Sequence, residues 1–256
     1  MEITIVQAIL IGVWSGFCLA GMLLGIYTNR CLVMATGVGL ILGDPVTGLA
    51  MGAIGELALM GFGVSQGGSV PPNHFGPGVV GAILAITTGM PVEQALSISI
   101  PFAILVQFII TATYTFATTL TGVSLKALDN KNFKLFRLAA NATVWTFAVV
   151  GFILGVGSAL SAEALSALAN MIPAWLSATL TVAGGMLPAI GFAMILNVMM
   201  KKEYIPFVML GYVLFAYLNL STMAVTIVAT CVALIIFFNS GTAAPAEQEV
   251  EFEDGI

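Results

Sequence analysis

The sequence predicts an all-α protein that crosses a membrane several times. Of its 256 residues, 59% are hydrophobic and only 7% are charged, whereas a soluble domain carries about a quarter charged residues. The mean hydropathy is +1.08, and apolar runs near the length of a spanning helix, about 20 residues, recur between short polar breaks. Charged residues this scarce do not cover the surface of a soluble domain of this length, so we expect a polytopic integral membrane protein.

The first two apolar runs predict different structures. Residues 3–28 are long enough to span a membrane alone, but the run 31–64 is broken by Gly43-Asp44-Pro45 and too short before that break to cross. Asp followed by Pro is typical of a helix N-cap and first helical position. We therefore expect a broken helix or a re-entrant hairpin, whose irregular backbone is tolerated at membrane depth only inside protein.

The rest of the chain alternates between apolar runs and breaks. Residues 65–77 contain three prolines and three glycines and do not form regular helix. We expect a polar loop at 126–137. The glycines within 183–191 predict a further helix break there. Glycines spaced four apart let helices approach closely; they occur at Gly39 and Gly43, Gly48 and Gly52, and Gly151 and Gly155. Apolar runs are expected at 78–90, 95–121, 138–160 and 177–200, and 204–246 is long enough for two short helices.

The formal net charge of −5 belongs to the end of the chain. Five of the twelve acidic residues fall in the last ten positions, and the other seven balance seven basic residues. We divide the chain into a membrane domain, 1–240, and an acidic tail, 241–256, whose Pro/Ala/Glu composition predicts disorder. Basic residues cluster at 126–137 and at Lys201-Lys202, two spans apart, so the positive-inside rule places both on the cytoplasmic face.

Composition excludes several functions. Three cysteines and one histidine do not provide a conventional zinc site, an iron–sulfur cluster or a disulfide framework, so we expect no metal and no cofactor. Seven basic residues spread along the chain do not form the basic face that nucleic-acid binding requires.

Glu56 is the most informative residue of the sequence. It is the one charged residue of the stretch 46–64, and a carboxylate at membrane depth is unfavourable unless it faces a cavity or a partner. Glu56 would then accept hydrogen bonds from sugar hydroxyls, or take a proton from a hydroxyl that is being phosphorylated. The alternative is a protonated Glu56 that hydrogen-bonds to nearby backbone as a packing device. Asp44, by contrast, is favoured as a helix cap.

Three further polar residues follow Glu56 in the irregular segment. Gln66, Asn73 and His74 offer the directional hydrogen bonds that suit a neutral polyol. A solvated external loop explains Gln66 and Asn73 equally well. A single histidine without a partner specifies nothing by itself, so His74 joins the candidate substrate-binding residues only through its place in the loop. Gln107, in an apolar run, favours an interhelical hydrogen bond over a position lining the transport pathway.

Four blocks of the chain resemble a known family. They are Val38-Gly39-Leu40-Ile41-Leu42-Gly43-Asp44, Gly55-Glu56-Leu57, Val182-Ala183-Gly184-Gly185-Met186 and Pro206-Phe207-Val208-Met209-Leu210-Gly211. In this order and spacing they resemble the IIC membrane subunit of the mannose–fructose–sorbose family of bacterial sugar phosphotransferase systems. The resemblance covers about residues 1–240.

The resemblance implies a transport subunit of the bacterial inner membrane that works with a second membrane protein, IID. Soluble IIA and IIB subunits would pass a phosphoryl group from phosphoenolpyruvate to the sugar on the cytoplasmic side, so this chain would not itself be the enzyme. It also implies broken helices and hairpins that form a mobile transport domain, in a trimer of IIC–IID pairs surrounded by membrane lipid.

The resemblance also assigns residues. The acidic residue of the family's Gly-x-x-x-Glu-type motif falls on Glu56, and the family's sugar contacts cluster around Gln66 and Asn73. The segment Pro71-Pro72-Asn73 and the acidic ending 251–256 resemble the N-acetylgalactosamine branch, which implies a hexosamine substrate. His74 lacks the context of a phosphocarrier histidine.

Two other functions fit the same sequence features. One is an ion- or proton-coupled secondary transporter, since broken helices and one carboxylate at membrane depth fit that class too. The appearance of phosphorylated sugar inside the cell distinguishes it from a phosphotransferase permease. The other is a subunit that only scaffolds a partner, which sugar bound within 56–74 would exclude.

Overall fold

Helices make up the regular structure of residues 3–60 and 72–240, the part of the chain described by this computed structural model. The described residues up to Val198 form one compact unit and those from Met199 form a second. The first unit contains α1 (Ile5–Leu23), α2 (Cys31–Leu42), α3 (Pro45–Leu59), a π-helical segment (Gly76–Gly81) that continues into α4 (Ala82–Thr88), α5 (Val92–Asp129), α6 (Phe133–Leu160), α7 (Ala162–Asn170) and α8 (Ala174–Met199), which ends at the boundary. The second contains a 3₁₀ turn (Lys202–Tyr204), α9 (Ile205–Ala216) and α10 (Thr222–Ser240).

Four of these helices, α1, α5, α6 and α8, are long and apolar enough to cross a membrane. The prediction of an all-α, polytopic membrane protein is therefore confirmed. Two short helices in 204–246 are also confirmed, with α9 and α10 separated by a turn at Asn219, whose φ is +50°.

Glycines bring α1 and α6 into close, antiparallel contact. A Cβ atom added to Gly151 would lie 2.8 Å from the Cα atom of Gly16, and one added to Gly155 would lie 2.9 Å from the Cα atom of Gly12. Higher residue numbers in α1 thus face lower numbers in α6. The C-terminal end of α1 consequently points toward the end of α6 that carries the basic residues Lys134 and Arg137.

The helices α2 and α3 form the predicted re-entrant hairpin. Gly43 ends α2 in the left-handed region, with φ +87°, and the Asp44 side chain caps α3 by accepting a hydrogen bond from the Thr47 amide at 3.0 Å. The helices touch at Gly39 and Gly48, where a Cβ on Gly48 would lie 2.7 Å from the Cα of Gly39. The sequence thus correctly predicted the break and the capping role of Asp44.

The centre of the first unit is the short helix formed by the π-helical segment and α4. Every residue from Phe75 to Ala85 is buried, and the helix packs against α2, α3 and α5. Gly89 ends it with φ +68°, and α5 begins three residues later. The predicted break between the runs 78–90 and 95–121 therefore exists. It places a helix too short to span the membrane inside the protein.

Two sequence predictions were wrong. The expected polar loop at 126–137 is mostly helical, because α5 continues to Asp129 and α6 begins at Phe133, with only a tight turn between them. Lys and Arg are good helix formers, and polar residues extend a helix beyond the apolar layer without breaking it. The expected break within 183–191 is also absent, since α8 is continuous through Pro188.

Candidate functional site

Glu56 lies near the C-terminal end of α3 and contacts the start of α2 through both carboxylate oxygens. Its Oε1 atom forms an ion pair with Nη2 of Arg30 at 2.5 Å. Its Oε2 atom accepts a hydrogen bond from the Leu32 amide at 3.4 Å, in the first turn of α2, where backbone N–H groups lack helical partners. The open end of the α2–α3 hairpin is thereby closed by one side chain.

The segment between α1 and α2 fixes the position of Arg30. The buried Thr28 hydroxyl donates to the Cys18 carbonyl at 2.9 Å, and the Ile26 amide donates to the Gly21 carbonyl at 3.1 Å. These bonds fold the segment back onto the end of α1, so Arg30 enters α2 from an anchored backbone. Its side chain is 47% exposed, whereas that of Glu56 is 16% exposed. The guanidinium therefore lies on the outer side of the pair.

Cys31 and His74 lie next to this ion pair. The buried Cys31 thiol donates a weak hydrogen bond to the His74 carbonyl, with a sulfur–oxygen distance of 3.4 Å. His74 is close enough to Glu56 and Arg30 to interact electrostatically with both. The structure thus brings two predicted site residues, Glu56 and His74, into the same region, around the start of α2.

Asn73 faces another neighbour, helix α5. Its side chain, only 6% exposed, accepts a hydrogen bond from the Phe75 amide at 2.9 Å and donates one to the Gln107 side chain at 3.1 Å. Its own amide donates to the Ala103 carbonyl at 3.1 Å. Gln107 makes the interhelical hydrogen bond that the sequence favoured, and Asn73 attaches the start of the central helix to α5.

Sequence reasoning missed Arg30 as a member of the site. Arg30 is the first basic residue of the chain and the only one before Lys126, so it too lies alone among apolar runs. Two isolated opposite charges in one apolar region favour a pair, and that signal was available. Gln66, the remaining candidate, lies outside the described residues. Among the described ranges no group of His, Cys, Asp and Glu could hold a metal ion.

The arrangement suits hydrogen bonding to a neutral polar molecule. A carboxylate only accepts hydrogen bonds and a guanidinium only donates them, while sugar hydroxyls do both. The Arg30–Glu56 pair offers both functions at one partly exposed position and has no formal net charge.

Comparison with known proteins identifies the family of the chain. The family model for the sorbose-specific IIC component of the PTS system matches residues 5–235. N-acetylgalactosamine permease IIC component 1 of Escherichia coli (strain K12) is 31% identical over 248 residues, covering 90% of this chain and 90% of the relative.

Two solved structures are similar. One, described as the structure of a membrane protein, has a TM-score of 0.84 and 27% identity, covering 95% of this chain and 98% of its own. The other is a cryo-EM structure of the mannose transporter ManYZ with microcin E492 (MceA). Its TM-score is 0.59 at 27% identity, covering 98% of this chain and 100% of its own.

The spanning helices and the polar pair in a re-entrant hairpin, together with these relatives, define a multi-pass membrane protein of sugar transport. The chain belongs to the sorbose- and mannose-type family of IIC components, the membrane transport subunits of the sugar phosphotransferase system. The resemblance that the sequence motifs indicated is confirmed.

Proposed function

We propose that this chain binds and translocates an N-acetylated hexosamine, N-acetylgalactosamine, with Glu56 as the central sugar ligand. The observation that carries the proposal is the partly exposed Glu56 carboxylate, held between Arg30 and the first turn of α2. The similarity of the chain to an N-acetylgalactosamine permease IIC component supports the choice of sugar. Gln66, Asn73 and His74 are the other proposed ligands, and the hydrogen bonds of Asn73 within the protein give it a positioning role as well.

The proposed partners are a IID membrane subunit and the soluble subunits IIA and IIB. The mannose transporter ManYZ, a two-component structure by its name, supports a membrane partner. We further propose a trimer of IIC–IID pairs surrounded by lipid in the bacterial inner membrane. IIB would transfer the phosphoryl group, and this chain would present the sugar.

Sugar presentation follows from the position of the site along the bundle. The Arg30–Glu56 pair follows the segment that folds back onto the C-terminal part of α1, and this end of α1 points toward the basic end of α6. If the basic end is cytoplasmic, the site opens toward the compartment of IIB. Movement of the α2–α3 hairpin relative to the other helices would alternate access. Glu56 would then orient or deprotonate the sugar 6-hydroxyl when phospho-IIB docks.

Uptake measurements with Glu56→Gln test the role of the carboxylate. Cells would carry this chain with its IID, IIA and IIB partners and receive labelled N-acetylgalactosamine. We expect at least a tenfold loss of accumulated sugar phosphate, because an amide does not replace the charged acceptor. Glu203→Gln, the same change at an exposed carboxylate in the second unit, is the matched control and should transport normally. Wild-type transport by Glu56→Gln would remove Glu56 from the mechanism.

The form of the sugar inside the cell tests the class of transporter. A phosphotransferase permease delivers phosphorylated sugar and requires phosphoenolpyruvate, whereas a secondary transporter delivers free sugar and requires an ion gradient. Competition by unlabelled N-acetylgalactosamine, mannose and sorbose identifies the substrate. Stronger competition by mannose or sorbose would contradict the proposed amino sugar and leave the transport role intact.

A further inference from the structure

We propose that Arg30 makes the site selective for a neutral N-acetylated hexosamine over the corresponding cationic hexosamine. This inference rests on the proposed function, since it concerns which amino sugar binds beside Glu56. It assigns a specificity role to a residue that the resemblance did not include.

The charge at the site decides between these two substrates. N-acetylgalactosamine is neutral, whereas the free amine of galactosamine is a cation below its pKa, which for a primary amine beside electron-withdrawing groups is about 8. A carboxylate with no counter-ion would attract the ammonium group and favour galactosamine. Glu56 instead has the Arg30 guanidinium at 2.5 Å, which cancels the attraction at a distance and repels a second cation.

The geometry places Arg30 where an incoming sugar meets it. The Arg30 side chain is 47% exposed and that of Glu56 is 16% exposed, so the guanidinium is the more accessible member of the pair. One of its two terminal nitrogens contacts Glu56, and a guanidinium has five N–H donors. The N–H groups that do not face Glu56 can donate to a sugar oxygen, including an acetamido carbonyl. They offer no acceptor to an ammonium group.

The segment that carries Arg30 holds it in place. The bonds from Thr28 to Cys18 and from Ile26 to Gly21 anchor the backbone immediately before it, and α2 begins immediately after it. His74 and the buried Cys31 thiol are the other titratable groups described near the pair. Arg30→Gln and Arg30→Lys leave both groups in place, so a ratio that changes in the first variant and not in the second reports on the charge of residue 30.

The test compares binding of N-acetylgalactosamine and galactosamine to the purified complex with IID, at about pH 6, where the amine is protonated. Arg30→Gln should shift the affinity ratio about tenfold toward galactosamine. The substitution removes the repulsion between the guanidinium and the ammonium group, two charges a few ångströms apart that solvent screens only in part. Arg30→Lys keeps the charge and should keep the wild-type ratio, even if both affinities fall. Arg137→Gln, the same change at the other arginine of the chain, exposed on α6, is the matched control.

The outcomes separate the two proposals. If wild-type cells accumulate no phosphorylated amino sugar, the proposed function fails. If they do, and Arg30→Gln keeps the wild-type ratio within about twofold, only the role of Arg30 is overturned. A purely structural Arg30 would lower both affinities, or the yield of folded complex, without changing the ratio.

A second test uses the wild-type protein alone and therefore does not depend on whether a variant folds. Galactose and galactosamine differ only in the hydroxyl or ammonium group at one carbon. Rejection of a cation by Arg30 means that galactosamine binds more weakly than galactose at about pH 6. Equal or tighter binding of galactosamine would overturn the inference.

Discussion

Asn73 illustrates how a residue proposed as a ligand also determines the local fold. Its side chain satisfies the Phe75 amide at the start of the central helix and reaches Gln107 on α5. Loss of both bonds would leave a buried amide and a half-buried glutamine without these partners, and unsatisfied buried groups are more unfavourable than missing bonds between solvated ones. Substitutions at Asn73 therefore need a stability measurement beside any transport assay.

We predict that Asn73→Leu lowers the free energy of unfolding by about 2 kcal/mol, because it removes both side-chain hydrogen bonds of Asn73. Thermal unfolding of the purified complex in detergent, without sugar, measures the change. Asn141→Leu, at an exposed position of α6, should change stability by less than about 0.5 kcal/mol. Equal melting of Asn73→Leu and the wild type would show that the Asn73 bonds contribute little to stability.

The sequence alone identified Glu56 but not its partner. A single charged residue in an apolar stretch can be recognised from the linear sequence, and this pattern identified the Glu56 carboxylate. The contact with Arg30 depends on α2 and α3 folding back at Gly43, which places residues far apart in the chain side by side. Gln107 and Asn73 were likewise both noticed as polar residues, but their hydrogen bond depends on how the central helix lies on α5.

At the scale of elements, the α2–α3 hairpin depends on backbone contact. Gly39 and Gly48 allow the two helices to meet close to their turn, and a Cβ on Gly48 would also lie 2.7 Å from the carbonyl oxygen of Ala35. These neighbours are backbone atoms, which do not move aside as a flexible side chain does. The hairpin therefore requires glycine here for space, not for an unusual backbone conformation.

We predict that Gly48→Ala destabilises the complex by about 1–3 kcal/mol, the usual effect of overpacking a tight contact. Gly122→Ala is the matched control, since a Cβ on Gly122 in α5 has nothing within 4 Å. That control should be neutral or stabilise the helix by up to about 1 kcal/mol. The fraction of complex that remains monodisperse after heating compares the two. Equal stability of both variants would contradict the close contact.

The success of sequence prediction differed between elements for a physical reason. The hairpin turn has a local signature, a left-handed glycine followed by a capping Asp and a Pro, and such signatures are readable. The turn between α5 and α6 was misplaced because polarity was equated with irregular structure. The charged residues there, except Lys131, lie in the ends of the helices, and only Asn130, Lys131 and Asn132 lie outside the helices.

For the whole molecule, the positions of the basic residues predict orientation. We expect the α5–α6 turn in the cytoplasm and the link between α7 and α8 on the opposite side, because α6 separates them. Asn130→Cys and Met171→Cys, each made with Cys231→Ser to remove the exposed native thiol, test this with a membrane-impermeant maleimide. The first should react only in inside-out vesicles and the second only in intact cells. The reverse pattern would invert the orientation and direct the Glu56 site away from IIB.

The buried central helix has a consequence for how the protein is made. The π-helical segment and α4 together are about 20 Å long at 1.5 Å per residue, shorter than the roughly 30 Å apolar layer. They also supply several of the largest fully buried side chains, including Val79, Ile83 and Leu84. This helix therefore does not enter the bilayer as an independent span. During synthesis this helix is buried only after α5, which follows it in the chain, has been made. The core of the first unit therefore forms after the ribosome has moved well beyond the first helices.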